Sequence, residues 1–192
     1  MRNSKNGVGL MLYLATMVIF FGMYFFGMNT EYFNNSLLLN AFLLPIVYVA
    51  GSYYSVNSLK KTGVHMGFTD VFGRAFKPMF LGGFLSVLTM FAFLNFVDTD
   101  AKDLLNYQYL DRQKTELTNE YTKANIGMVH EEDKIELEKN YQNRLQSFSP
   151  EMIKDKDMFS FRQFTYYFGG IMVFYVILSV FFASFFRSST QL

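Results

Sequence analysis

Residues 67–83 read GFTDVFGRAFKPMFLGG, with phenylalanine at every fourth position (Phe68, Phe72, Phe76, Phe80), three charges between them, then Pro78 and the pair Gly82 and Gly83. On a helix at 100° per residue, Val71, Ala75, Phe68, Met79, Phe72 and Phe76 share an arc of about 140°, with Asp70, Arg74 and Lys77 opposite. Whether this amphipathic stretch closes a soluble core or lies against a bilayer depends on what surrounds it.

The surroundings are segregated. The chain has 192 residues, 51% hydrophobic and 17% charged, which on average describes a soluble protein. Yet the segments 8–28, 37–56, 78–97 and 166–186 contain no charged residue, and each runs 20 or 21 residues. A hydrocarbon core of roughly 30 Å needs about 20 apolar residues of helix, so each can span alone. Lipid offers no partner to exposed backbone groups, and the runs lack the alternation of barrel strands, so the spans are expected to be helices. The first run is too long for a signal-peptide core, and Asn29-Thr30-Glu31 follows it without a small-x-small cleavage site, so it is expected to stay as an anchor. Cysteine is absent, which excludes disulfides and thiol chemistry.

Charge sets the expected threading. With both termini cytoplasmic, the inner segments hold Arg2, Lys5, Lys60, Lys61, Arg74, Lys77 and Arg187 against Asp70 alone, whereas 98–165 carries ten basic and fourteen acidic residues. Basic residues near span ends favour the cytoplasmic side. No soluble segment on that side is long enough to cover the phenylalanine stripe. Residues 68–77 are therefore expected to form an interfacial helix in the headgroup layer, N-capped by Thr69, with Asp70 pairing to Arg74, and bending or stopping near Lys77 before Pro78 opens the third span. A docking helix for a partner is the second reading of the same stripe.

Between the third and fourth spans, Leu110, Leu117, Tyr121 and Ala124 line one helical face, and Leu137, Tyr141, Leu145 and Phe148 another, with Gly127 between them. Glu131, Glu132 and Asp133 suit the first turn of the second helix, and Ser149-Pro150 the start of a short third one. An extracytoplasmic helical hairpin follows. Two helices alone bury little, so it needs a neighbour: its own membrane domain, a second copy, or another protein.

The phrase GFTDVFGRAFKPMFLGGFLSVL (67–88), after a loop containing Lys60-Lys61, resembles the hallmark region of the bacterial four-span family catalogued as domain of unknown function 4199. The stretch from Gly127-Met128 to Glu131-Glu132 and the turn Ser149-Pro150-Glu151-Met152 are similar as well. The resemblance implies a four-span protein of the bacterial cytoplasmic membrane with an acidic helical insertion, and it carries over no catalytic residue.

Chemistry is sparse. Asp98, Asp100 and Asp103 cluster at the outer end of the third span, but a hard-cation site needs about six oxygen ligands and a wrapping loop, so a solvated helix start is favoured. His65 and His130 fall on opposite sides of the membrane in this threading and cannot share a site. Asn40, five residues before Pro45, is the most notable polar span residue, with hydrogen bonding to another helix as its expected role. Gly82, Gly83, Ser86, Gly169 and Gly170 are read as close-packing positions. No phosphate loop, nucleophile-base set or nucleic-acid patch is present. The expectation is an all-α integral membrane protein forming one membrane domain, non-enzymatic, with no catalytic, cofactor or metal residues. It would act as an accessory, scaffold or assembly partner through the hairpin, in a hetero-complex or a homo-oligomer; the alternative is a small transporter or lipid-handling protein.

Overall fold

The computed structural model describes residues 5–127, 130–153 and 156–188. Arg2, and Met128 within the Gly127 to Glu132 stretch, lie outside them. The elements are α1 (Lys5–Gly27), α2 (Tyr32–Leu38) running through a π-helical turn (Leu39–Leu43) into α3 (Leu44–Lys60), α4 (Phe68–Ala92) ending in a second π-helical turn (Phe93–Val97), α5 (Thr99–Gly127), α6 (Glu131–Gln146), α7 (Pro150–Ile153) and α8 (Phe161–Phe186). Among the described residues there is no strand. Four helices are long and apolar enough to cross a membrane, over Asn6–Gly27, Tyr32–Lys60, Phe68–Val97 and Phe161–Phe186. They contain the four charge-free runs almost completely and overrun them, because the helices continue through polar flanks.

The largest departure from the sequence reading is at residues 67–83. These form no separate in-plane element: α4 runs unbroken from Phe68 through Pro78. Proline removes the N–H that would bond the carbonyl four residues back, here that of Arg74. That carbonyl instead accepts a 2.8 Å bond from Ser55 Oγ of α3. A neighbouring helix thus satisfies the freed group, as membrane helices require. The helix also starts earlier than expected: Gly67, not Thr69, is the N-cap, and its N–H is met by the Asp70 carboxylate at 3.3 Å. Arg74 does not pair with Asp70; its Nε donates to the Ser55 carbonyl at 3.2 Å and its guanidinium to Ser58 Oγ at 3.1 Å.

Accordingly the stretch is a core helix on one side. Val71 and Ala75 are fully buried among Val56, Met66, Phe182 and Ala183. The phenylalanines form a ladder on another face, Phe72 on Phe76, Phe76 on Phe80 and Phe80 on Phe84, with ring centroids 5.5 to 6.0 Å apart.

α4 is the centre of the bundle, flanked by α1, α3 and α8. Glycine permits the closest approach: a Cβ on Gly82 would come within 2.9 Å of the Gly9 carbonyl and 2.8 Å of Leu12 Cβ, and one on Gly83 would strike the Tyr175 hydroxyl. Gly82 and Gly83 are therefore spent inside the chain and present no surface to a second copy. Gly169 and Gly170, read from sequence as packing positions, face nothing within 4 Å.

α5 begins by folding back over the end of the bundle where α1 and α4 finish. Ala101 and Leu105 are buried with Tyr32, Phe33 and Leu94. Gln108 clamps the α1–α2 connection, accepting from Phe33 N–H (2.7 Å) and donating to the Asn29 carbonyl (2.8 Å). Farther out, α5 and α6 meet through stacked Tyr121 and Tyr141 (centroids 4.4 Å apart) and the Arg144–Glu120 ion pair at 3.1 Å. The base of this pair of helices rests on its own membrane domain.

Candidate functional site

The bundle is not filled. A cavity of about 760 Å³ lies between α1, α3, α4, α5 and α8, within the range of roughly 300 to 1,000 Å³ that holds small organic ligands. The end away from α5 is a layer of hydrogen-bonded hydroxyls: Thr16 Oγ1 donates to the Leu12 carbonyl at 2.8 Å and lies 3.2 Å from Tyr48 OH, while Ser86 Oγ donates to the Gly82 carbonyl at 2.8 Å. Tyr48 stacks on Tyr175, 5.3 Å between centroids and 10° from parallel, and closes the floor. Above it the walls are apolar, with Phe20, Met23, Val87, Met90 and Leu94 among them.

The roof is the connection into α8. Asp157 is buried enough to raise its carboxyl pKa, yet bonds from Asn106 Nδ2 (2.9 Å) and Phe159 N–H (2.8 Å), with the Lys102 ammonium at 3.5 Å, outweigh this and leave it below the usual carboxylate range. Asn106 Oδ1 also accepts from Met158 N–H (3.1 Å), and Asn95 Nδ2 in the second π-helical turn donates to the Phe159 carbonyl (3.0 Å). Met158 and Phe159, held by these bonds, face the cavity.

Polar lining gathers at the end nearest α5. Tyr109, Arg112, Gln113 and Glu116 of α5 face Ser36 and Asn40 across the opening. Arg112 Nε bonds Glu116 at 2.8 Å and its NH1 donates to Asn34 Oδ1 at 3.1 Å. Pro45 and Phe174 line both this cavity and a shallower apolar groove of about 470 Å³ on the outside of the α3–α8 seam.

Of the residues singled out from sequence, Asn40 lines the cavity, but its amide bonds the Ser36 carbonyl of its own helix at 2.8 Å and not another span. Pro45 stands in the first turn of α3, directly after the π-helical turn. Asp98 caps α5 through the Ala101 N–H (3.0 Å) and accepts from Tyr24 OH (2.6 Å), which together hold its carboxyl below the ordinary range. Asp100 and Asp103 are exposed, and no group of three or more His, Asp or Glu side chains among the described residues could hold a metal ion. His65 sits in the α3–α4 loop and His130 at the N-cap of α6, both exposed. The sequence reading missed Asn106, Gln108, Arg112 and Asp157. Gln108 and Arg112 carried one sequence signal, their recurrence on the α5 face shared by Ala101 and Leu105; Asn106, off that face, and Asp157, in the connection into α8, carried none.

No curated protein and no solved structure matches the chain. The family described as Protein of unknown function (DUF4199) matches residues 7–188, nearly the whole length, and the chain belongs to that family.

Proposed function

We propose that this chain is a non-enzymatic, lipid-handling accessory protein of a bacterial cytoplasmic membrane complex, one that holds an amphiphile between its helices. The observation that carries the reading is the cavity itself: apolar along its length, with hydroxyls satisfied at the inner end and charged and amide groups at the outer end. That polarity profile follows a lipid from tail to head. The apolar groove sharing Pro45 and Phe174 supports entry from the bilayer across the α3–α8 seam. The inner excess of basic residues supports a threading with both termini cytoplasmic and α5 to α7 outside.

The test is native mass spectrometry of the full chain in mild detergent. The chain should retain a lipid mass, and Val87→Trp, which fills the apolar shaft, should strip it. A lipid-free wild type, or an unchanged lipid mass in the Val87→Trp variant, overturns the reading.

A further inference from the structure

We propose that the outer end of the cavity is a head-group site for a zwitterionic phospholipid, with Arg112 receiving the phosphate and Glu116 the amine. This deepens the reading of the cavity as a lipid site and rests on it. Arg112 and Glu116 stand one turn apart on α5, both on the lining. An exposed i, i+4 pair of this kind contributes little to stability; Arg112 also ties α5 to Asn34 of α2, which holds the pair in place at the mouth of the apolar shaft, where it can serve recognition.

The donor inventory fits. A guanidinium has five N–H donors in a planar fork. Arg112 commits one to Glu116 and one to Asn34 Oδ1, an arrangement that fixes the fork and leaves donors for a phosphate. Glu116 offers its second carboxylate oxygen to an ammonium. Gln113 donates to Tyr109 OH at 2.6 Å and adds a neutral polar rim beside them. The two charges cancel, so the mouth has no net attraction for an anionic head, and Glu116 opposes one directly. A head carrying both signs can bind each group without leaving the other unpaired.

The experiment uses the full chain in mild detergent, titrated with phosphatidylethanolamine or phosphatidylglycerol of identical acyl chains and read by native mass spectrometry. Wild type should prefer phosphatidylethanolamine by on the order of tenfold, the worth of one charge-assisted hydrogen bond. Glu116→Gln should reverse the preference toward phosphatidylglycerol, Arg112→Gln should weaken phosphatidylethanolamine by a similar factor, and Arg112→Lys should restore part of the loss. Thermal midpoints for each variant show that the fold persists; both side chains are partly exposed, at 40% and 56%, so it should. Equal binding of the two lipids by wild type and by both charge variants overturns the head-group site while leaving the shaft occupied. Loss of the head-group preference together with no retained lipid at all overturns the cavity reading beneath it.

Discussion

Ser55 and Arg74 hold each other twice: Ser55 Oγ donates to the Arg74 carbonyl at 2.8 Å, and Arg74 Nε donates back to the Ser55 carbonyl at 3.2 Å. The first of these bonds fills the vacancy that Pro78 makes in the α4 ladder, so a proline that ought to break the helix is tolerated because α3 lies alongside. Ser55→Ala should remove the α3 donor to the Arg74 carbonyl at this part-buried contact and cost about 1 to 3 kcal/mol. In a Pro78→Ala background the intrahelical donor returns, and the same Ser55→Ala change should cost less, with a coupling of about 1 kcal/mol. Unfolding in mixed micelles measures the cycle; strict additivity would separate the hydroxyl from the proline.

Close approach of α1 and α4 rests on Gly82. A methyl there meets the Gly9 backbone carbonyl at 2.9 Å, which cannot rotate away, so Gly82→Ala should destabilise by about 1 to 3 kcal/mol through overpacking. Gly170→Ala has nothing within 4 Å and removes a glycine from a helix interior, so its thermal midpoint should stay level or rise. Both are read by thermal unfolding of the purified protein, and the opposite ordering would contradict the interior placement of the Gly82 face.

The spans were legible because segregation of charge is a local property that any window of twenty residues displays. The start of the acidic helix after Gly127 was legible for the same reason. Continuity through Pro78 was not: its remedy, Ser55, lies 23 positions earlier and carries no mark of its role. Gln108 and Arg112 read as solvated positions of a polar helix until α5 is folded back onto α2 and the α1–α2 connection, and Asn106 does so until the connection into α8 is laid against it. A cavity is harder still, since it is packing that does not occur, and residues such as Val87 and Met90 look the same in sequence whether they touch a neighbour or a ligand. Asn40 was rightly noticed and wrongly partnered, because the local Ser36 carbonyl competes with any distant acceptor.

Asp98 should make stability fall in acid. Its carboxyl is held below the ordinary range, first by Tyr24 OH and then by the Ala101 N–H. The depressed folded value means that its contribution is complete above about pH 4 and is lost as the pH falls through that value. Between about pH 5 and pH 3 the thermal midpoint of wild type should therefore drop more than that of Asp98→Asn. Tyr24→Phe should flatten the dependence partly, because the Ala101 bond remains. Equal slopes in all three proteins would remove Asp98 from the account.

The outer pair of helices should come apart without disturbing the bundle. Tyr121 and Tyr141 stack at 4.4 Å, Thr118 Oγ1 lies 3.2 Å from Tyr141 OH, and the remaining cross-contacts include the exposed Arg144–Glu120 pair. Exposed ion pairs add about 0 to 1 kcal/mol and a stacked aromatic pair about 0.5 to 1.5 beyond its burial, so Tyr141 carries much of the α5–α6 contact. Tyr141→Ala should raise amide exchange across 131–146 and the outer third of α5. Protection at Leu105 and throughout α1, α4 and α8 should be unchanged, because the base of α5 is anchored independently by Gln108 and Asn106. If exchange also rose in the bundle, the outer pair would be part of one cooperative unit with the cavity, and the roof over the cavity would depend on α6.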